Sequence, residues 1–212
     1  HLDGARLAPG CTFTFSMNLF EDAAQHADAF ALAFALLAEE GLGPGRGAAV
    51  LEDCAAQDRD VDLSAVPAQP VVELSIRFET PTELKADSGL VRRPEFGVLL
   101  SRVRDRISTL RACYGSGPLE LDFRAFGERA ARVELVAANL TQVHVERRSS
   151  RTQQTHSIGG FMGEAHYRGA DLAEFVPFLE AAALTGVGRQ TVWGKGEISL
   201  IRWDPRRSSR RN

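Results

Sequence analysis

The sequence predicts an α+β fold, with a complete domain of order β-α-β-β-α-β over residues 70–203. A partial, related block over residues 1–66 precedes it, and a basic tail, 204–212, follows. Three observations carry this. Segments of strand period and helix period alternate in that order through the second block. A glycine-rich stretch, Gly186-Val187-Gly188 through Gly194-Lys195-Gly196, joins an apolar helical run to a short apolar strand. The same helix, glycine loop and strand occur earlier, with Gly41-Leu42-Gly43 aligning to Gly186-Val187-Gly188 at an offset of 145 residues. The order of the second block is the ferredoxin-like split βαβ motif, and the long-period repeat reads as a duplicated ferredoxin-like module.

Each element has its own warrant. Residues 1–10 read as irregular, with Pro9-Gly10 as a turn signal. Residues 12–20 alternate like a half-buried strand, residues 23–39 form an Ala-rich helix, and residues 48–52 form a short strand. Residues 55–70, acidic and containing Pro67 and Pro70, read as a connection. Residues 71–78 alternate as a strand, and 81–89 form a loop. Residues 94–113 form a helix with Pro94 in the first turn. In it Phe96, Leu99, Leu100, Val103, Ile107 and Leu110 share one face, and Arg102, Arg106 and Arg111 lie away from that stripe on a solvated side. A short helix over 119–130, a bulged strand over 132–145, its antiparallel neighbour over 159–167, a helix over 172–184 and a strand over 197–203 complete the order. The first block shows only β-α-β. The repeat therefore predicts a further β-α-β segment ahead of His1, or else an incomplete first domain.

Composition narrows the class. A chain of 212 residues suffices for one large or two small domains with real cores. No uninterrupted apolar run approaches the ~20 residues of a membrane helix, and no signal-peptide pattern is read, so we expect a cytoplasmic protein with no membrane partner. Cys11, Cys54 and Cys113 are odd in number and lack metal-ligand spacing. No HxxxH or Cys–His spacing is present either, so neither a metal nor a cofactor is expected. The net charge of −3 is uneven. Residues 1–70 carry 3 basic and 11 acidic residues, a net of −8, while 71–212 carry 22 and 17, a net of +5. A negative total does not exclude nucleic acid, because the field at the site decides. The tail, Arg206-Arg207-Ser208-Ser209-Arg210-Arg211, reads as a solvated end or a phosphate-contacting arm.

The glycine loop suits a phosphate-bearing partner. Glycines let the backbone approach a ligand closely, backbone N–H groups bind anions, and Arg189 and Lys195 add charge. It is not a nucleotide P-loop: GxxxxGK[ST] is absent, and the glycines follow a helix rather than open one.

An ordered series of segments carries a resemblance. Ser149-Ser150-Arg151-Thr152-Gln153, Gly159-Gly160-Phe161-Met162-Gly163, Tyr167-Arg168-Gly169, Phe175-Val176-Pro177-Phe178-Leu179, Gly186-Val187-Gly188-Arg189 and Thr191-Val192-Trp193-Gly194-Lys195-Gly196 follow one another. Upstream stand Glu79-Thr80-Pro81-Thr82-Glu83-Leu84-Lys85 and Phe15-Ser16-Met17-Asn18-Leu19-Phe20. Over roughly residues 10–202 the chain resembles the CRISPR repeat-RNA-processing endoribonucleases of Cas-six type, in the RAMP superfamily. The resemblance implies tandem ferredoxin-like domains that bind CRISPR repeat RNA, alone or beside other CRISPR-associated proteins. It also implies a single metal-independent cut by the 2′-hydroxyl, leaving a cyclic phosphate and a 5′-hydroxyl. That chemistry needs a general base, often His, an acid for the leaving oxygen, and donors for the phosphorane-like transition state. The family's catalytic His lies early in its first domain. No residue of this chain matches it, so the catalytic residues are unknown; the endoribonuclease activity is expected of the full-length protein, and whether this chain holds the base stays open.

The candidate RNA-binding residues are Arg147, Arg148, Arg151, Gln153, Gly186, Gly188, Arg189 and Lys195. Arg147, Arg148 and Arg151 form the densest internal basic cluster, either a solvated strand end or a phosphate contact through planar guanidinium forks. Gln153 is either a surface amide or a base or ribose contact. The glycines either pack a tight helix-to-strand connection or face RNA, and the two are compatible. Trp193 reads as core or as a stacking platform. Of the histidines, His26 and His166 read as structural, while His144 and His156 lie on a strand face and in a polar loop. Two other readings stay open: a non-catalytic RNA-binding subunit of a CRISPR effector complex, and a ferredoxin-like regulatory or assembly module.

Overall fold

A computed structural model describes residues 6–20, 25–43, 45–65, 67–86, 89–115, 117–144 and 159–201, with the backbone of 146–148 and 155–157. Its elements are α1 (Ala27–Glu40), β1 (Glu73–Thr82), β2 (Lys85–Ala86), β3 (Gly89–Leu90), α2 (Phe96–Tyr114), α3 (Phe123–Ala130), β4 (Glu134–Val143), β5 (Glu146–Arg148), β6 (Thr155–Ser157), β7 (Gly160–Arg168), α4 (Leu172–Thr185) and β8 (Ile198–Ile201).

Alternation along β1 and β7 decides the architecture. Leu74, Ile76 and Phe78 on β1 and Phe161, Ala165 and Tyr167 on β7 are buried on one face. Burying them requires a layer of helices on that side, and α2, α3 and α4 supply it with Phe96, Leu99, Leu100, Val103, Phe126, Phe175 and Leu179. The four long strands form one antiparallel sheet in the order β4-β7-β1-β8. β1 and β4 both run against β7, so the connection through α2 and α3 crosses over one strand. The connection from β7 through α4 to β8 likewise crosses over β1. The predicted bulge lies between Leu135 and Ala137, where the register with β7 shifts.

Aromatic packing knits the layers together. Phe78 meets Phe161 edge-on at 4.9 Å, and Phe96 meets Tyr167 at 5.0 Å and Phe175 at 5.4 Å. The buried Tyr167 hydroxyl donates to Pro94 O at 2.8 Å, fixing the entry of α2 over β7. Pro94 stands ahead of the helix rather than in its first turn as expected, since α2 begins at Phe96. α3 is capped by Asp122, whose Oδ1 accepts from the backbone N–H groups of Arg124 and Ala125, both at 3.0 Å. Arg129 joins α3 to α4 through a two-pronged contact with Glu174 at 2.6 and 2.8 Å. Arg106 departs from the solvated stripe. It is partly buried, its Nε donates to Thr185 O at 3.4 Å, and desolvation lowers its pKa. A cation at that place complements the negative end of α4.

The opposite sheet face is polar and internally paired. Arg77 contacts Glu164 at 2.5 Å, Arg168 contacts Glu73 at 2.6 Å, and Ser75 Oγ shares a hydrogen bond with His166 Nδ1 at 3.1 Å.

The first block differs from its expectation. Neither 12–20 nor 48–52 is a strand; both lie outside any ladder. Alternation reports which side chains share a face, but a strand exists only where a neighbour takes its backbone groups. These segments are held instead by isolated contacts: Thr12 Oγ1 with Glu52 Oε2 at 3.3 Å, Ala49 N with Ala38 O at 3.1 Å, and Phe15 edge-on to Phe34 at 4.8 Å. Asn18 Nδ2 donates to Leu184 O at 2.5 Å, and Phe20 stacks on Tyr114 at 6.3 Å, so residues 18–20 lie against the C-terminal ends of α4 and α2. In α1 only Ala38 is buried.

Burial raises the pKa of Tyr167, so its neutral form is favoured in the folded state. That contribution is complete below the unfolded tyrosine pKa of ~10 and is lost as pH rises above it. Urea titrations should show Tyr167→Phe costing about 1–2 kcal/mol at neutral pH, because Pro94 O loses its buried donor. The variant should also lose less stability than the wild type when the titration is repeated above pH ~10.

Candidate nucleic-acid interface

Strand direction gathers the loops of the candidate site at one end of the sheet. Thr82 at the end of β1 pairs with Phe161 at the start of β7, Val143 at the end of β4 pairs with Gly160, and β8 begins opposite Phe78. The β2–β3 hairpin, the β5–β6 hairpin and the loop from α4 to β8 therefore all leave the sheet at this end.

The glycine loop is clamped to the end of β1 by backbone hydrogen bonds. Glu79 N donates to Glu197 O at 2.9 Å, Gly196 N to Pro81 O at 3.2 Å, and Arg189 N to Glu83 O at 3.0 Å. Glu197 N donates to Thr80 Oγ1 at 3.0 Å, and Val187 N closes the loop on Gly196 O at 2.8 Å. Gly186 N ends α4 by donating to Ala182 O at 2.8 Å. Gly188 has φ +84°, and a Cβ there would collide with Glu83 O and press on Leu84 Cδ2 at 3.1 Å. Gly196 has φ +73°, and a Cβ there would collide with Val187 O. Only glycine allows both the left-handed backbone and the close approach.

The predicted cations take different places. Arg189 is 57% exposed, and its Nη1 lies 2.6 Å from Glu83 Oε1. The guanidinium thus faces solvent while the Glu83 side chain that holds it is 13% exposed. Lys195 is 4% exposed, placing its charge inside the loop rather than on its surface. Arg147 and Arg148 stand on β5, where Arg147 pairs with His156 and Arg148 with Thr155 on β6. The structure thus brings Arg147, Arg148, Gly186, Gly188, Arg189 and Lys195 to one end of the sheet. Arg151 and Gln153 lie outside the described residues. Among the other histidines, His26 and His144 are exposed, and His166 is engaged on the polar face.

Sequence reasoning did not single out Glu83, the partner of Arg189, or Lys85, an exposed cation on β2. Their position just past a strongly alternating strand was the signal available. Among the described residues no three His, Cys, Asp or Glu side chains gather as metal ligands would, and no helix is long and apolar enough to cross a membrane.

Residues 76–198 match the family of the CRISPR-associated endoribonuclease Cas6, and the chain belongs to that family. Residues 2–73 match a separate family described as an N-terminal domain. No curated protein matches the chain significantly. Among solved structures, a Cas6 product complex is 19% identical, with 83% of this chain and 72% of that chain covered and a TM-score of 0.51. Cas6 from Thermus thermophilus is 22% identical, with 63% and 55% covered and a TM-score of 0.48. The chain thus spans just over half the length of the Thermus thermophilus protein. The first of these likenesses shows a shared mixed α+β fold with an antiparallel sheet.

The loop's glycines separate by substitution. Gly188→Ala should destabilise the protein by on the order of 2–3 kcal/mol in denaturant titrations, through collision and a left-handed backbone together. Gly194→Ala has no atom within 4 Å of the added Cβ and should cost about 1 kcal/mol, the backbone term alone.

Proposed function

We propose that the chain recognises CRISPR repeat RNA and acts in its endonucleolytic processing from precursor CRISPR RNA, as a cytoplasmic protein. The observation that carries this is that the basic β5–β6 hairpin and the clamped glycine loop leave the sheet at the same end, in a chain of the Cas6 family. In this reading Arg147, Arg148, Arg151 and Arg189 contact phosphates. Gly186 and Gly188 let the backbone approach the RNA, Lys195 supports the loop from within, and Gln153 contacts a base or ribose. The solved relatives include a Cas6 product complex and a Cas6 substrate-mimic complex. The reaction is attack by the 2′-hydroxyl on the adjacent phosphate. The O2′–P bond forms, the P–O5′ bond breaks, the 2′ proton passes to a base, and the 5′ oxygen takes up a proton. A metal-independent course is part of the proposal, as is partnership with other CRISPR-associated proteins.

The domain of residues 70–203 is ferredoxin-like in this reading, its sheet order and two crossovers supporting the assignment. The duplication is supported by hydrogen bonds of the same kind at the two glycine motifs. Gly41 N donates to Leu37 O as Gly186 N does to Ala182 O, and Leu42 N donates to Gly47 O as Val187 N does to Gly196 O. The helix-end bonds stand 145 residues apart at donor and acceptor alike, while the loop bonds share that offset at the donor and stand 149 apart at the acceptor, the second loop being four residues longer.

Two measurements test the function. Repeat RNA incubated with the full-length protein in EDTA should be cut once, leaving a cyclic phosphate and a 5′-hydroxyl. Arg147→Ala with Arg148→Ala should weaken repeat-RNA binding and flatten the slope of log affinity against log salt by about 1.4 on a single strand, the value for two lost phosphate contacts. Unchanged affinity and slope would remove β5 from the interface, and binding without cutting would make the protein an RNA-holding subunit instead.

A further inference from the structure

The tip of the glycine loop holds two apolar side chains in water. Gln190 adopts a left-handed backbone with φ 65°, Thr191–Trp193 form a single 3-10 turn, and Gly194 is left-handed at φ 74°. Trp193 N donates to Gln190 O at 2.9 Å and Gly194 N to Thr191 O at 3.1 Å, so the turn is closed by its own bonds. Left-handed backbone at a non-glycine residue is disfavoured and persists where surrounding structure enforces it. On this tip Val192 is 80% exposed and Trp193 47% exposed. Val187, Lys195 and Gly196 in the same loop are buried, so the loop encloses a lysine while presenting an indole.

The surroundings say what that indole suits. Exposed Arg189 precedes it in the same loop, Lys85 stands on the neighbouring hairpin, and β5 with Arg147 and Arg148 leaves the same end of the sheet. An aromatic side chain at the same end of the sheet as these cations suits a nucleic-acid strand: a base stacks while phosphates along the strand meet the charge. Two adjacent side chains form a patch for one base, much smaller than the contiguous apolar areas that mark protein docking sites. We infer that Trp193 is a stacking platform for an unpaired base of the bound RNA. The inference rests on the RNA-binding reading above and adds to it the part of the RNA engaged: a single-stranded nucleotide, since paired bases expose no free face away from a helix end.

The experiment uses the full chain carrying Trp203→Phe, which leaves Trp193 as the sole indole. Single-stranded repeat RNA should quench its fluorescence, and the same RNA annealed to its complement should not. Trp193→Ala should weaken single-strand binding roughly tenfold without changing the salt slope, because no phosphate contact is lost. Trp193→Phe should keep most of the affinity. Equal binding by the wild type and Trp193→Ala overturns the inference, as does a lower salt slope with equal losses on single strand and duplex. If Trp193→Ala fails to fold by circular dichroism, the quenching and the Trp193→Phe affinity decide in its place. Failure of the wild type to bind either RNA overturns the RNA-binding reading itself, and the inference with it.

Discussion

The clamp between the glycine loop and the end of β1 is the constraint on which the arrangement depends. Residues 79–83 and 186–197 share backbone hydrogen bonds that run outside the regular sheet ladder. They oblige the chain leaving α4 to pass directly over the end of β1 before it turns down into β8. The crossover from β7 to β8 is therefore short, β8 lies at the sheet edge beside β1, and the loop tip is held at a fixed place. A side chain at Gly188 would push the two backbones apart, and one at Gly196 would open the loop against Val187 O. The same glycines thus fix the path by which the loop crosses the end of β1.

The helical layer answers a different demand. β1 and β7 bury large apolar residues on one face and keep paired charges on the other. The core can tolerate little rearrangement, because aromatic rings of β1, β7, α2, α3 and α4 contact one another in sequence. With the sheet so fixed, the three connections at its far end diverge from a rigid base, the circumstance in which loops serve recognition best.

Much of residues 70–203 was legible because burial imposes a period. The apolar stripe of α2, the alternation of β1 and β7 and the bulge in β4 all leave a pattern that one segment displays by itself. What was not legible depends on partners remote in the chain. The alternation of residues 12–17 is as regular as that of β1, yet it finds no ladder among the described residues, because period says nothing about who pairs with it. The pairing of Arg189 with Glu83 spans 106 positions, and the burial of Lys195 follows from the path of the loop and not from its composition. Arg106 looked solvated by its angular position, but α4 ends where that side chain emerges. Trp193 left core and surface both open, and the path of the loop leaves it about half exposed.

Glu83 has a further consequence. Its carboxylate already occupies the guanidinium of Arg189, so the site carries an internal competitor for any anion that approaches. In the proposed RNA-binding role, a phosphate gains at this position only the difference between two pairings. A scattered anion gains little from that exchange, while a polymer engaging several positions at once adds each small difference to the next. The carboxylate then acts as a threshold, discounting chance encounters with loose phosphate and leaving a continuous strand as the ligand that passes.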